Sequence, residues 1–257
     1  MLRLTTFLLI LSIACHADTT IKKHTVVTDS KSPANVEKSS DFEEILYRKG
    51  ALRKSEYPNT SITDIANCDT RTGFLIDLKA NAYKTYKVVK YTPTAQIEEY
   101  ANKNPQNAVD IESTTVDTGE QKMFFAYSAK HFITTNKRTP DKNDHGGEEI
   151  VDAWYIDHEL PDNHCDPEYV RTEPYYAVGT ALVMPPQVPR LHHTGPVPTG
   201  LPVKITATYK IFGTNGAPDQ TITTFETIEG ISDSPLSPSL FELPAGSREN
   251  PNLWKRK

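Results

Sequence analysis

The sequence predicts a mainly β protein built on one strongly curved antiparallel sheet, with one or two covering helices. Most apolar residues of the 257-residue chain fall in short alternating or β-branched runs separated by Gly, Asn, Asp and Pro, which is typical of strands joined by turns. Helical patterns do not alternate with these runs, so a doubly wound parallel sheet is not expected. One helix is indicated, capped by Thr92, with Pro93 in its first turn and Asn104-Pro105 at its end.

The strands are predicted in chain order from their composition and from the turns between them. The runs are 20–28, 42–48, 52–57, 62–66, 72–78, 83–91, 122–127, 131–135, 150–156, 205–211 and 221–228. Turns are indicated at Gly50, at Lys79-Ala80-Asn81 and at Asn215-Gly216.

Alternation within three runs predicts which side chains share a face. Tyr86 and Val88 lie opposite Tyr83 and Val89 in one run, and Trp154 and Ile156 lie opposite Ala153 and Tyr155 in another. The clearest run sets four apolar residues against three polar ones, namely Ile205, Ala207, Tyr209 and Ile211 against Thr206, Thr208 and Lys210. It predicts a sheet with one apolar and one wetter side.

Two segments are predicted to be irregular. Asn136 to Gly147 is a polar loop. Met184 to Pro202 contains six prolines, which exclude it from a central strand because proline cannot donate to the sheet ladder.

The N-terminus predicts export. Arg3 precedes an apolar run that is too short to span a membrane, and small residues follow up to Ala17, so residues 1–17 are interpreted as a signal peptide. Cleavage after Ala17 fits better than a lipid anchor at Cys15, since Ser12 stands where a lipobox has Leu. The expected location is the periplasm or cell envelope, with one β domain over 18–248, a short basic tail over 249–257 and no transmembrane span.

Two cysteines remain after cleavage, Cys68 and Cys165. An even pair in an oxidising compartment predicts a disulfide. Closing a loop of roughly 100 residues would contribute about 4–5 kcal/mol in the chain-entropy model. Two unpaired thiols are the alternative, because sequence does not fix the distance between their Cα atoms.

Charge and motifs exclude several function classes. A net charge of −5 offers no basic face, so nucleic acid is not an expected partner. Glycine-rich phosphate loops and nucleophile motifs are absent, and no cofactor or catalytic residue is predicted. The acidic and imidazole-rich stretch does not have the spacing of a zinc site, so no metal is expected; its members are His145, Glu148, Glu149, Asp157, His158, His164 and Asp166.

Aromatic residues concentrate on the predicted strands and suggest a concave apolar face. The residues predicted to bind a ligand are Phe74, Tyr86, Phe125, Tyr127 and Trp154, within a wider set that adds Tyr83, Phe124, Phe132 and Tyr155. The alternative is that these side chains fill an ordinary core.

The segment Pro235 to Gly246 reads as a turn at Pro238 followed by Leu240 and Phe241, which would plug an apolar surface. This segment resembles the closing signature of exported bacterial proteins of the LolA/LppX-like superfamily and their DUF4412-type relatives. Three other pieces are similar to the same proteins, at 47–53, 74–83 and 153–157, and the whole chain resembles uncharacterised exported proteins of acidobacterial type.

The resemblance implies an incomplete barrel whose concave apolar side is covered by helix and loop. Members of known function carry lipids or the acyl chains of lipoproteins, and they offer no catalytic residue to carry over. We therefore expect an exported non-enzymatic protein that binds a hydrophobic ligand or a partner's apolar segment. The alternatives are an envelope structural or interaction module with a filled core and, third, a metal-dependent hydrolase that would need His145, His158 and His164 to converge.

Overall fold

The computed structural model describes residues 18–31, 36–90, 108–139, 146–158, 165–167, 188–212 and 218–253. The predicted signal peptide and the predicted helix over 92–105 lie outside these ranges. The described part contains fourteen strands and one 3-10 turn, Pro238–Phe241. The strands are β1 Thr19–Lys31, β2 Val36–Lys49, β3 Leu52–Tyr57, β4 Ile62–Asn67, β5 Thr72–Asp77, β6 Ala82–Lys90, β7 Ala108–Phe124, β8 Tyr127–Arg138, β9 Gly147–Ile156, β10 Cys165–Pro167, β11 Val188–Thr194, β12 Leu201–Phe212, β13 Pro218–Ser232 and β14 Arg248–Glu249.

All fourteen strands join one open sheet, which confirms the mainly β fold and the incomplete barrel. Its order is β10-β6-β5-β4-β3-β2-β1-β13-β12-β9-β8-β7-β11, and β14 pairs with β6 beside β10. Pairing is antiparallel except for β11 with β7 and β14 with β6. The strands β1 to β6 form a meander of sequence neighbours, and the pair β1–β13 joins this meander to the later strands.

The two faces of the sheet differ in burial on β7, and the pairing register extends the distinction between the faces to the other strands. On β7, Ser113 and Thr115 are buried whereas Glu112 and Thr114 are exposed. We call the face that carries Ser113 and Thr115 the inner face, and the opposite one the outer face. The period of two along each strand produces this division.

The larger core cluster lies where β12 begins. It contains Ile21, Ala129, Ile156, Leu201, Val203 and Ile228, and residues of β2, β7 and β13 pack around it. Because one cluster gathers side chains from seven neighbouring strands, the sheet must curl around it.

A second cluster lies on the outer face of β2 to β6, beneath residues 233–247, which we call the strap. Phe241 of the strap is buried against Ile65 and Ile76. The strap then reaches β6, where β14 pairs with Ala82 and Tyr83. The prediction that Leu240 and Phe241 plug an apolar surface is therefore confirmed.

Most predicted strands are confirmed. On β12, Ile205 pairs with Ala153, and the residues of both faces from Ile205 to Phe212 are half-buried. One strand prediction was wrong, because the predicted strand 122–127 contains the turn at Phe125-Ala126 that joins β7 to β8. That turn lacks Gly, Asn and Pro, so sequence gave no signal for it. The predicted loop was also too long, since Asn136 belongs to β8 and Gly147 begins β9.

The proline-rich segment contains more strand than its composition predicts. Pro189 lies in β11, which pairs with β7 at the end of the described sheet, a place that tolerates a missing N–H. Pro202 lies in β12, a central strand, which contradicts the exclusion. The register of β12 against β9 shifts between Pro202 and Lys204, so the proline sits at a bulge rather than in a regular ladder.

Candidate functional site

The five aromatic residues predicted to bind a ligand lie in separate places. Tyr127 and Trp154 pack against the larger core cluster, and Phe74 packs under the strap with its ring 5.7 Å from that of Tyr83. Tyr86 lies on the inner face beside Val88, and Phe125 is exposed at the β7–β8 turn. The five therefore do not line one common surface.

Trp154 has a packing role on the outer face. Its indole stacks on the imidazole of His131 with ring centroids 4.6 Å apart. His131 Nε2 lies 2.9 Å from an Asp152 oxygen, and its Nδ1 lies 3.1 Å from the Thr118 hydroxyl. Thr118 lies where the register of β7 against β8 shifts, so this group fixes a bulge.

The inner face of β13, β1 and β2 carries a partly buried ion network. Lys23 Nζ lies 2.8 Å from Glu44 and 3.5 Å from Glu226. The Tyr57 hydroxyl donates to Glu44 at 3.3 Å. We call these four residues, together with Arg53, Asp64 and Tyr86 on the neighbouring strands, the polar ladder.

The ladder continues across β3, β4 and β6. The Arg53 guanidinium donates to Asp64 at 2.8 Å, and the Tyr86 hydroxyl donates to the other Asp64 oxygen at 2.6 Å. Gly73 lies between Asp64 and Tyr86 in the sheet, and a Cβ there would overlap the Tyr86 ring. A glycine is thus required for Tyr86 to cross β5 and reach Asp64.

The charges of the ladder stabilise one another. Burial alone would lower the pKa of Lys23, but the carboxylates of Glu44 and Glu226 offset it and hold that pKa above its ordinary value. Burial would raise the pKa of Glu44, yet Lys23 and the hydroxyls of Ser55 and Tyr57 hold it below its ordinary value. Lys23 and Glu44 therefore remain charged at neutral pH, and their pairing suits a structural or orienting role better than proton transfer.

Beside the ladder, the inner face of β12 and β9 is apolar. The same face also carries Glu149 and the buried Ala153. Six apolar side chains of this face are half-buried, namely Val151, Tyr155, Ile205, Ala207, Tyr209 and Ile211. We call these six residues the apolar row. Phe132 meets Tyr155 edge to face at 5.7 Å, and burial raises the pKa of the Tyr155 hydroxyl.

The two aromatic residues of β9 lie on opposite faces. Trp154, which was predicted to bind a ligand, lies on the outer face, and Tyr155 lies on the inner face. The available signal was the alternation itself, because Tyr155 shares a parity with Ala153, and Ala153 pairs with Ile205.

Of the three histidines that would have to converge on a metal, only His158 lies within the described residues. His158 lies 5.4 Å from the Tyr127 ring and 3.7 Å from Asp233, while His145 and His164 lie outside the described ranges. Among the residues that the structure describes, no three His, Cys, Asp or Glu side chains could hold a metal ion.

The backbone near the two cysteines is described in part. Cys68 follows β4 and packs beside Val88, and β10 pairs Cys165 with Lys90 and Pro167 with Val88. Both cysteines therefore lie beside the second half of β6. The disulfide stays a prediction.

The chain has no match among known protein families and has a structural neighbour of low similarity. No protein-family model matches the chain, and no curated protein is similar to it in sequence. A crystal structure of a DUF1329 family protein from Desulfovibrio piger covers 89% of this chain and 91% of its own, at 7% identity and a TM-score of 0.26. Within the described ranges, no helix is long and apolar enough to cross a membrane.

Proposed function

We propose that the chain is an exported, non-enzymatic protein that binds a hydrophobic ligand, a lipid or an acyl chain, on the inner face of its sheet. The observation that supports the proposal is the apolar row, whose side chains remain half-buried while the core clusters beside it are closed. Binding of this kind needs neither a metal nor a cofactor.

The size of the row suits an extended acyl chain. From Ile205 to Ile211 the strand advances about 20 Å, at roughly 3.3 Å per residue. The polar ladder begins on β13, the strand next to β12. An amphiphile would therefore place its tail over the row and its polar end toward Glu226 and Lys23.

A second candidate is an envelope structural or interaction module with a filled core. It is favoured by the packing of Phe74, Tyr127 and Trp154, which fill core clusters rather than line a groove. The two candidates differ in whether the apolar row accepts a ligand.

The test places the same bulky residue on opposite faces of β12. Ala207→Phe fills the row, and Thr208→Phe, one position along, projects from the outer face as the matched control. Burying ten methylenes is worth about 8 kcal/mol before association costs, so micromolar binding of a fatty acid is expected. The fatty acid should raise the melting temperature of the native protein.

We expect Ala207→Phe to weaken fatty-acid binding at least tenfold, whereas Thr208→Phe should bind as the native protein does. If no apolar compound shifts the melting curve up to its solubility limit, and native mass spectra show bare protein, the filled-core module replaces the carrier.

A further inference from the structure

The β7–β8 hairpin ends in an exposed apolar tip. The tip comprises residues 123–127, and within it Met123 is 62% and Phe125 48% exposed. Phe124 and Tyr127 pair with each other at the base and pack against the larger core cluster. Two large apolar side chains thus project from a rigid base.

The backbone at Phe125 is strained, and the half-exposed side chain makes few packing contacts that could offset this strain. Its φ is +54°, in the left-handed region that Gly and Asn adopt readily and bulky residues avoid. The other non-glycine residues with positive φ in the described chain are Ser61, Arg71 and Asn81, all polar. A costly aromatic residue that stays half-exposed is the kind of strain found at functional sites.

The surroundings of the tip suit a lipid interface. The Lys122 ammonium lies 5.3 Å from the centre of the Phe124 ring, so a cation stands beside the apolar tip, as at membrane interfaces. The area of two exposed side chains is far smaller than the roughly 800 Å² that each partner buries in a stable protein interface. They are sufficient for shallow insertion among lipid headgroups.

The tip also lies at the end of the sheet where the described chain begins. The Thr19 hydroxyl donates to Asp233 at 3.3 Å, Asp233 lies 3.7 Å from His158, and the His158 ring contacts Tyr127. The start of the described chain and the hairpin tip therefore share one corner of the sheet.

We propose that the β7–β8 hairpin tip is a membrane contact, in which Met123 and Phe125 enter the boundary between headgroups and acyl chains while Lys122 stays at headgroup level. This contact is separate from the inner face and does not depend on a ligand there. It brings the corner of residue 18 to the bilayer surface.

The test is co-sedimentation of the exported protein with vesicles of phosphatidylethanolamine and phosphatidylglycerol. Phe125→Asn removes the aromatic ring and suits positive φ, so the variant should melt at or above the native temperature. Phe225→Asn is the matched control, because Phe225 is 46% exposed on the outer face of β13. All proteins carry the same N-terminus, so differences come from the substituted position.

We expect Phe125→Asn to reduce partitioning into vesicles about tenfold, since burial of a Phe side chain is worth roughly that factor or more. Phe225→Asn should partition as the native protein does, and both variants should still bind a soluble apolar dye. The proposal is overturned if the native protein does not sediment with vesicles, if Phe125→Asn sediments equally well, or if Phe225→Asn loses as much binding.

Discussion

Replacing Phe241 with Ala would measure how much the strap stabilises the sheet. The Phe241 side chain is only 8% exposed, and it packs on Ile65 and Ile76 on the outer face of the sheet. A buried Phe removes about 200 Å² from water, which at roughly 25 cal/mol per Å² corresponds to about 4–5 kcal/mol. Measured Phe→Ala costs of about 3–5 kcal/mol agree with this value.

For a chain of this size, each kcal/mol lowers the melting temperature by about 2–4 °C. We therefore expect Phe241→Ala to lower it by about 8–20 °C in calorimetry, and to lower the midpoint of urea unfolding in parallel. Phe225→Ala removes the same side chain from an exposed position and should cost less than about 1.5 kcal/mol. A Phe241→Ala variant within 1 kcal/mol of the native protein by the same assays would show that the strap only rests on the sheet.

Three further predictions concern covalent state and pH. The intact mass of the exported protein should show Cys68 and Cys165 alkylating only after reduction; ready alkylation in a non-reducing preparation would show that the bridge is absent. N-terminal sequencing should begin at Asp18, and a chain that begins at Met1 or carries a lipid would contradict cleavage after Ala17. Glu44→Gln should lower the unfolding free energy by about 1–3 kcal/mol at neutral pH, because it removes a charged partner of Lys23. The folded-state pKa of Glu44 is lowered, so its stabilisation is present above its unfolded pKa and is lost as pH falls; a difference that persists unchanged well below pH 4 would refute the ion pair as the cause.

The sequence predicted the fold class and most strands because alternating apolar and polar residues are typical of strands, even where, as on β12, both faces are half-buried. On β12 the run from Ile205 to Ile211 alternates without a break, and on β6 Tyr86 and Val88 share a cluster that excludes Tyr83. The β7–β8 turn could not be predicted, because its φ is imposed on Phe125 by the hairpin rather than favoured by the residue type.

The candidate site was harder to predict, because it depends on which strands curl toward one another. The aromatic content of β9 was visible, but Trp154 and Tyr155 lie on opposite faces, and only the pairing of Ala153 with Ile205 identifies the inner one. The polar ladder was missed for a similar reason. Lys23, Glu44 and Asp64 look like solvated surface in sequence, and only the register brings them together.

The pairing of the first strand with the last long one has a consequence for how the molecule is made. The strands β1 to β6 can pair in turn as the chain is made, but one edge of β1 stays without β13 until residues 218–232 are available. Such an edge is a template for aggregation, and the charges on Lys22, Lys23 and His24 are of the kind that discourage it. The Asp18 carboxylate then accepts the Leu236 N–H at 2.7 Å, so the start of the described chain is secured by nearly the last segment to be synthesised. The meander can thus form early, whereas the edge and the start of β1 are covered only once residues 218–236 are available.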